Sequence, residues 1–238
     1  MTDGPVRDRV DWRGRRIGRP LTPRRQALMA DLLPRLRVSP PSAGQRLDPF
    51  TLFAARPREI WLEIGFGSGE HLAEQAQRHL DVGFIGCEVF VNGVAALLDH
   101  IDRGGVANVR IFDDDARLLL PALPEACLAR AFLLFPDPWP KTRHAKRRFV
   151  GAGNLVLLAR LLADGAEFRI ATDDAGYVRW VLQQMAGSPD FAWRANGPAD
   201  WREPPPDWLE TRYQRKAQAA GRRPVFLRFE RRVRRREA

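Results

Sequence analysis

From Glu59 onward, short apolar runs alternate with longer stretches of helical periodicity, and this alternation decides the fold class. EIWLEIGF (59–66) reads as a buried strand, followed by glycines and a helix-like stretch through His79. VGFIGCEV (82–89) is a second strand, and FVNGVAALLDHIDR (90–103) is an amphipathic helix. VRIF, ARAFLLF and AEFRIAT supply three further strands, separated by helical segments such as NLVLLARLL. FAWRAN and PVFLRFERRV close the chain as a strand pair that should run antiparallel. Strands alternating with helices predict an α/β fold with a doubly wound, mainly parallel sheet. Before Glu59 the chain is rich in Arg and Pro, and PRRQALMADLLPRL (23–36) offers one short helix. The expected division is therefore a basic, partly mobile N-terminal extension over 1–50 and a domain over 51–238 with a basic C-terminal tail.

Composition narrows the class. Two cysteines, Cys87 and Cys127, stand forty positions apart, so neither a zinc site nor a disulfide framework is expected. No apolar run approaches the ~18 residues of a membrane span, and the first 40 residues hold no signal-like core. A cytoplasmic protein without metal, acting as a monomer or homodimer, is the expectation. Charge is informative through its placement. Residues 1–37, 139–149 and 211–238 carry net +6, +5 and +9, which leaves −10 for the rest of a chain whose net charge is +10. Three basic segments around an acidic body suit a polyanion-binding protein with a separate pocket.

The glycines of WLEIGFGSGEHL, Gly65, Gly67 and Gly69, fall at the turn from first strand to first helix, where ligands bind in this topology. The third glycine of a dinucleotide fingerprint is replaced by Glu70, a poor neighbour for a phosphate at a helix N-terminus. Glu63 places a carboxylate at the strand end, Glu88 ends the second strand, and Asp115 follows the third. Carboxylates suit the cationic, phosphate-free S-adenosylmethionine, with Glu88 facing the ribose hydroxyls and Asp115 the adenine amino group. An NAD-dependent oxidoreductase is disfavoured by Glu70. After the fourth strand, FPDPWPKTRHAKRRF sets Asp137 between two prolines, offers Trp139 for base stacking, and supplies Lys141, Arg143, Lys146, Arg147 and Arg148 for phosphates.

That stretch resembles the signature of the bacterial tRNA (guanine-N7-)-methyltransferases. LEIGFGSGEHL, GCEV, ATDD and TRYQRKAQAAGRRPVFLRFER follow in the family's order, so the resemblance runs from about Gly18 to the C-terminus. It implies a Rossmann-like, S-adenosylmethionine-dependent methyltransferase fold, with a seven-stranded mainly parallel sheet and an antiparallel last strand. It also implies transfer of a methyl group to N7 of guanosine 46 in the tRNA variable loop. By resemblance, Glu63, Glu88, Asp115 and Asp137 match cofactor-binding positions, with Asp137 also catalytic. Lys141, Asp173, Thr211, Arg212, Tyr213 and Gln214 match substrate-contacting positions. Gln214 departs from the family's usual Glu and brings no charge. For Asp173 the sequence also allows a helix N-cap in ATDD.

The chemistry of guanine N7 agrees with this set. N7 carries a lone pair and no proton, so positioning matters more than a general base. Asp137 and Asp173 can stabilise the developing cation. Two rivals stay open: a methyltransferase for an exocyclic amine or for protein, since PDPW is loosely like the acidic-proline motif of amino methyltransferases, and a non-catalytic RNA-binding protein on this scaffold.

Overall fold

The runs expected as strands come together in one seven-stranded sheet, ordered β3-β2-β1-β4-β5-β7-β6, in a computed structural model that describes residues 16–42 and 44–234. In chain order the elements are α1 (Pro23–Asp31), α2 (Leu33–Leu36), β1 (Glu59–Ile64), α3 (Glu70–Arg78), β2 (Val82–Cys87), α4 (Val91–Gly104), β3 (Val109–Phe112) and α5 (Ala116–Leu119). They continue with β4 (Leu128–Leu134), α6 (Ala152–Leu161), β5 (Leu162–Thr172), α7 (Ala175–Ala186), β6 (Phe191–Trp193), α8 (Ala199–Arg202), α9 (Arg212–Ala219) and β7 (Val225–Arg231). β1 pairs in parallel with both β2 and β4, while β7 alone runs antiparallel, between β5 and β6. The chain winds from β1 outward to β3 and then returns to β4 on the other side. The crevice between β1 and β4 is therefore the switch point where such folds bind ligands.

Each strand side chain alternates between two cores. On one face Ile60, Leu62 and Ile64 meet Leu155, Leu158 and Tyr177, and on the other Trp61 meets Leu72, Ala76, Leu97 and Phe132. Glu63 shares the face of Trp61, beneath α3, by the two-residue period of the strand.

The basic N-terminal segment departs from the expected extension. Leu33 and Val38 are 1% exposed, and the Val38 amide donates to Ile111 O at 2.8 Å, which covers the β3 edge. α1 lies against α4, with Arg24 paired to Asp99 and Asp102. An amphipathic helix lacking a partner cannot hide its apolar stripe, so this segment joins the core. The first 15 residues lie outside the described residues. Deleting 1–15 should remove Arg7, Arg9, Arg13 and Arg15 and flatten the salt dependence of polyanion binding. Deleting 1–37 should also strip Leu33 and Leu36 from the core. At roughly 1.5–3 kcal/mol per buried leucine, it should lower the melting temperature by more than about 5 °C. A thermal melt of the 1–37 truncation checks this, and a melting temperature equal to that of the full chain would contradict it.

In the third basic segment, expected to face a polyanion, several arginines are engaged within the protein instead. Arg231 Nε donates to Ala159 O at 2.8 Å, and Arg232 Nε to Phe191 O at 3.1 Å. Arg234 Nη2 reaches Ala159, Arg160 and Leu162 carbonyls at 2.7–3.1 Å while its guanidinium pairs with Glu125 and Asp164. Carbonyls at a helix C-terminus lack partners within the helix, and cations satisfy them. Arg231 and Arg234 thus cap the end of α6, and Arg232 holds the start of β6. Arg235 and Arg236 lie outside the described residues.

Candidate active site at the carboxyl edge of the sheet

β1 ends at Ile64, and the Gly65 amide donates to Cys87 O at 2.8 Å, turning the chain over the end of β2. Gly65, Gly67 and Gly69 have φ of 69°, 59° and 79°. At Gly67 a Cβ would stand 2.9 Å from the Tyr213 ring, and at Gly69 it would stand 2.7 Å from Leu97 of α4. Close approach on the outside and a left-handed backbone both demand glycine there. Beside Gly65 the space is open.

Glu88 closes the floor. Its Oε2 accepts from the Gly67 amide at 2.8 Å, and its Oε1 accepts from the Val89 and Phe90 amides at 2.8 and 2.9 Å. Burial pushes this carboxyl above the ordinary glutamate range, against the pull of those three amides. Asp115 caps α5, accepting from the Arg117 amide at 2.9 Å, and pairs with the Arg117 guanidinium at 2.6 Å.

Asp137 sits opposite, on the segment that leaves β4. Phe135 and Trp139 flank it with φ of 50° and 43°, a conformation that costs on the order of 1–3 kcal/mol per residue and persists only when neighbours enforce it. The neighbours are present. The Phe135 amide donates to Ala171 O at 2.7 Å, and Arg148 donates to the Pro138 and Trp139 carbonyls at 2.9 and 3.0 Å while stacking on Trp180. Arg148, expected at a phosphate, is thus a brace of the loop. Arg147 lies over the Trp139 ring at 4.8 Å from its centroid, and His144 meets its edge.

The elements enclose a cavity of about 540 Å³. Gly65, Gly67, Glu88, Asp115, Asp137 and Tyr213 line it, and so do Trp139, Lys146 and Arg147. Phe90, Asp114 and Phe149 also line it, three residues the sequence reading left out. Asp114 was visible only as one acid of a run of three, and Phe90 only as an apolar residue after Glu88.

Other expected residues lie elsewhere. Glu63 is 3% exposed, lines no part of the cavity, and accepts from His71 Nδ1 at 2.7 Å. Its strand position points it under α3, where it forms a buried pair with His71. Gly69 serves packing against α4. Lys141 is exposed at the start of a 3-10 turn, Thr142–Arg147, outside the cavity lining. Asp173 is paired with Arg222 at 2.5 Å, and the helix N-cap in ATDD is Asp174, whose Oδ1 accepts from the Tyr177 amide at 2.6 Å. Within Thr211–Gln214 the residues divide. Thr211 caps α9 and Gln214 accepts from the Trp208 indole at 2.5 Å, both 6% exposed, whereas Arg212 is exposed and Tyr213, partly exposed, sits at the cavity rim. Burial and the nearby Glu88 raise the Tyr213 hydroxyl above its ordinary range.

Residues 57–227 match the model of a family described as "Putative methyltransferase". A protein of Rhodospirillum rubrum named tRNA (guanine-N(7)-)-methyltransferase is 52% identical over 98% of this chain and 92% of its own length. Proteins of the same name from Paramagnetospirillum magneticum and Zymomonas mobilis are 48% and 44% identical, covering 95% and 97% of this chain and 95% and 100% of their own. The chain belongs to the tRNA (guanine-N7-)-methyltransferase family. The 16S rRNA methyltransferase KamB shares the fold at 16% identity, with a TM-score of 0.55 over 74% of this chain and 89% of that one. Family membership agrees with the sheet order and with a ligand cavity at the switch point. Among the described residues no His, Cys, Asp and Glu side chains group to hold a metal ion, and no helix is long and apolar enough to cross a membrane.

Proposed function

We propose that this protein transfers a methyl group from S-adenosylmethionine to N7 of guanosine 46 in the variable loop of tRNA, in the cytoplasm. The single observation that carries the reading is one cavity in which the glycine turn, Glu88 and Asp115 face Asp137, under a rim of exposed cations. Its volume of about 540 Å³ lies within the ~300–1,000 Å³ of small-ligand sites. The open space at Gly65 and the buried carboxylate of Glu88 fit a cationic ligand with a ribose. Oε2 of Glu88 accepts only from the Gly67 amide and keeps a lone pair, so it can still accept from a hydroxyl.

When bound, S-adenosylmethionine supplies an electrophilic methyl group on a sulfonium. The protein's part is geometric and electrostatic. Guanine N7 attacks with its lone pair and loses no proton, so the ring must be held in line with the methyl carbon. Trp139, with Arg147 moved off its face, presents a ring for the base. Asp137, fixed by its two prolines, places negative charge beside the purine as it becomes cationic. Lys146 and Arg147 at the cavity, with Lys141, Arg143, Arg212, Arg215 and Lys216 on the surrounding surface, suit the phosphates of a folded RNA.

Transfer of tritium from labelled S-adenosylmethionine to total tRNA, followed by nucleoside chromatography, tests the reading. Label is expected in 7-methylguanosine. Label on adenosine, cytidine or protein would refute it.

A further inference from the structure

A path of contacts, buried at Glu63, His71 and Gln214, part-buried at Trp208 and exposed at Tyr213, leaves the glycine turn on one side and returns to it on the other. It starts at Glu63, two residues before Gly65, whose carboxylate accepts from His71 Nδ1 at 2.7 Å. The His71 ring lies 6.1 Å from the Trp208 ring between centroids, within the range of aromatic pairs. Trp208 packs edge-on against Phe226 at 4.7 Å and donates its indole N–H to Gln214 Oε1 at 2.5 Å. Gln214 follows Tyr213 on α9, and the Tyr213 ring closes on Gly67, two residues after Gly65.

α9 has little else to fix its rotation. Of its eight residues only Gln214 and Ala217 are buried, and Thr211 caps its first turn. Successive helix positions differ by about 100° around the axis, so holding Gln214 inward dictates where Tyr213 points. The opposite face of the helix carries Arg212, Arg215 and Lys216, all exposed. One short helix thus offers cations to RNA on its outside and a ring to the cofactor turn on its rim.

We infer that Trp208 is a positioning residue: through Gln214 it sets α9 so that Tyr213 covers the cofactor turn, which couples tRNA binding to cofactor binding. This rests on the reading of the cavity as the S-adenosylmethionine site. It gives Gln214 an inward role as acceptor, and a carboxylate there would accept from the same indole N–H. The amide at this position therefore leaves the anchor intact.

The test is the binding of tRNA to the full chain with and without S-adenosylhomocysteine, and the reverse titration. In the wild type each ligand should tighten the other at least about fivefold, by the same factor in both directions. Trp208→Phe keeps a ring and removes the N–H, and should bring the coupling below about twofold while each ligand alone binds within about threefold of wild type. Tyr213→Ala, at an exposed position, should lose the coupling equally, and Gln214→Glu should keep it. If Trp208→Phe does not fold, Gln214→Leu is read in its place, with the same loss expected. A melting temperature lowered by Trp208→Phe with coupling retained would reduce Trp208 to a packing role and overturn the inference, as would absence of coupling in the wild type. A wild type that does not bind S-adenosylhomocysteine would instead sink the cofactor reading itself.

Discussion

Replacing Asp137 with Asn should leave the fold and most tRNA affinity intact and lower the single-turnover rate by ~10²–10³. Asp137 lines the cavity between Pro136 and Pro138, on a loop held by Phe135 and Trp139 in left-handed conformations and by two hydrogen bonds from Arg148. An amide fills the same volume and keeps one acceptor, so the loop survives, but the charge facing the nascent cation is gone. An interaction that strengthens towards the transition state shows in kcat as well as in kcat/KM. If Asp137 only stabilised the turn, Asn would serve almost as well. Single-turnover rates at saturating cofactor and tRNA separate the two outcomes, and a rate within a factor of a few of wild type would remove Asp137 from the chemistry.

Glu88→Ala should have the next largest effect, on cofactor affinity. The substitution removes the acceptor proposed for the ribose and also leaves the Gly67, Val89 and Phe90 amides without their partner. A buried hydrogen-bonding loss of this kind costs ~1–3 kcal/mol, about 5- to 150-fold in affinity. Calorimetry should show weakened S-adenosylmethionine binding with tRNA affinity unchanged, and no heat from NAD in either protein. Unchanged S-adenosylmethionine affinity would contradict the placement of the ribose at Glu88.

Much of this was legible in the chain. The strand runs, the glycine turn and the acids at strand ends follow from periodicity, because a parallel sheet puts successive strand ends on one edge. What the sequence concealed is where charged side chains spend their charge. Glu63 looked like a strand-end carboxylate for a ligand, yet the strand's alternation sends it under α3 to His71. Arg148 read as a phosphate contact, and Arg231 and Arg234 as part of a basic segment for a polyanion, but each satisfies backbone carbonyls outside its own element, Pro138 for Arg148 and Ala159 for the other two. Such pairings join residues with no local signature. The Thr211–Gln214 tetrapeptide was visible as a motif, and only the helix it opens reveals that two of its residues face inward. Asp174 rather than Asp173 caps α7, a choice between adjacent acids that only backbone geometry decides.

The central claim is that N7 of one guanine is the methyl acceptor at this cavity. A tRNA carrying 7-deazaguanosine at position 46 replaces that nitrogen with C–H and leaves the phosphates, the Watson–Crick edge and the stacking face in place. The account predicts that this tRNA binds with unchanged affinity and accepts no label from S-adenosylmethionine, while the unmodified tRNA is methylated to completion. Label transferred to the 7-deazaguanosine tRNA at the normal rate would contradict it.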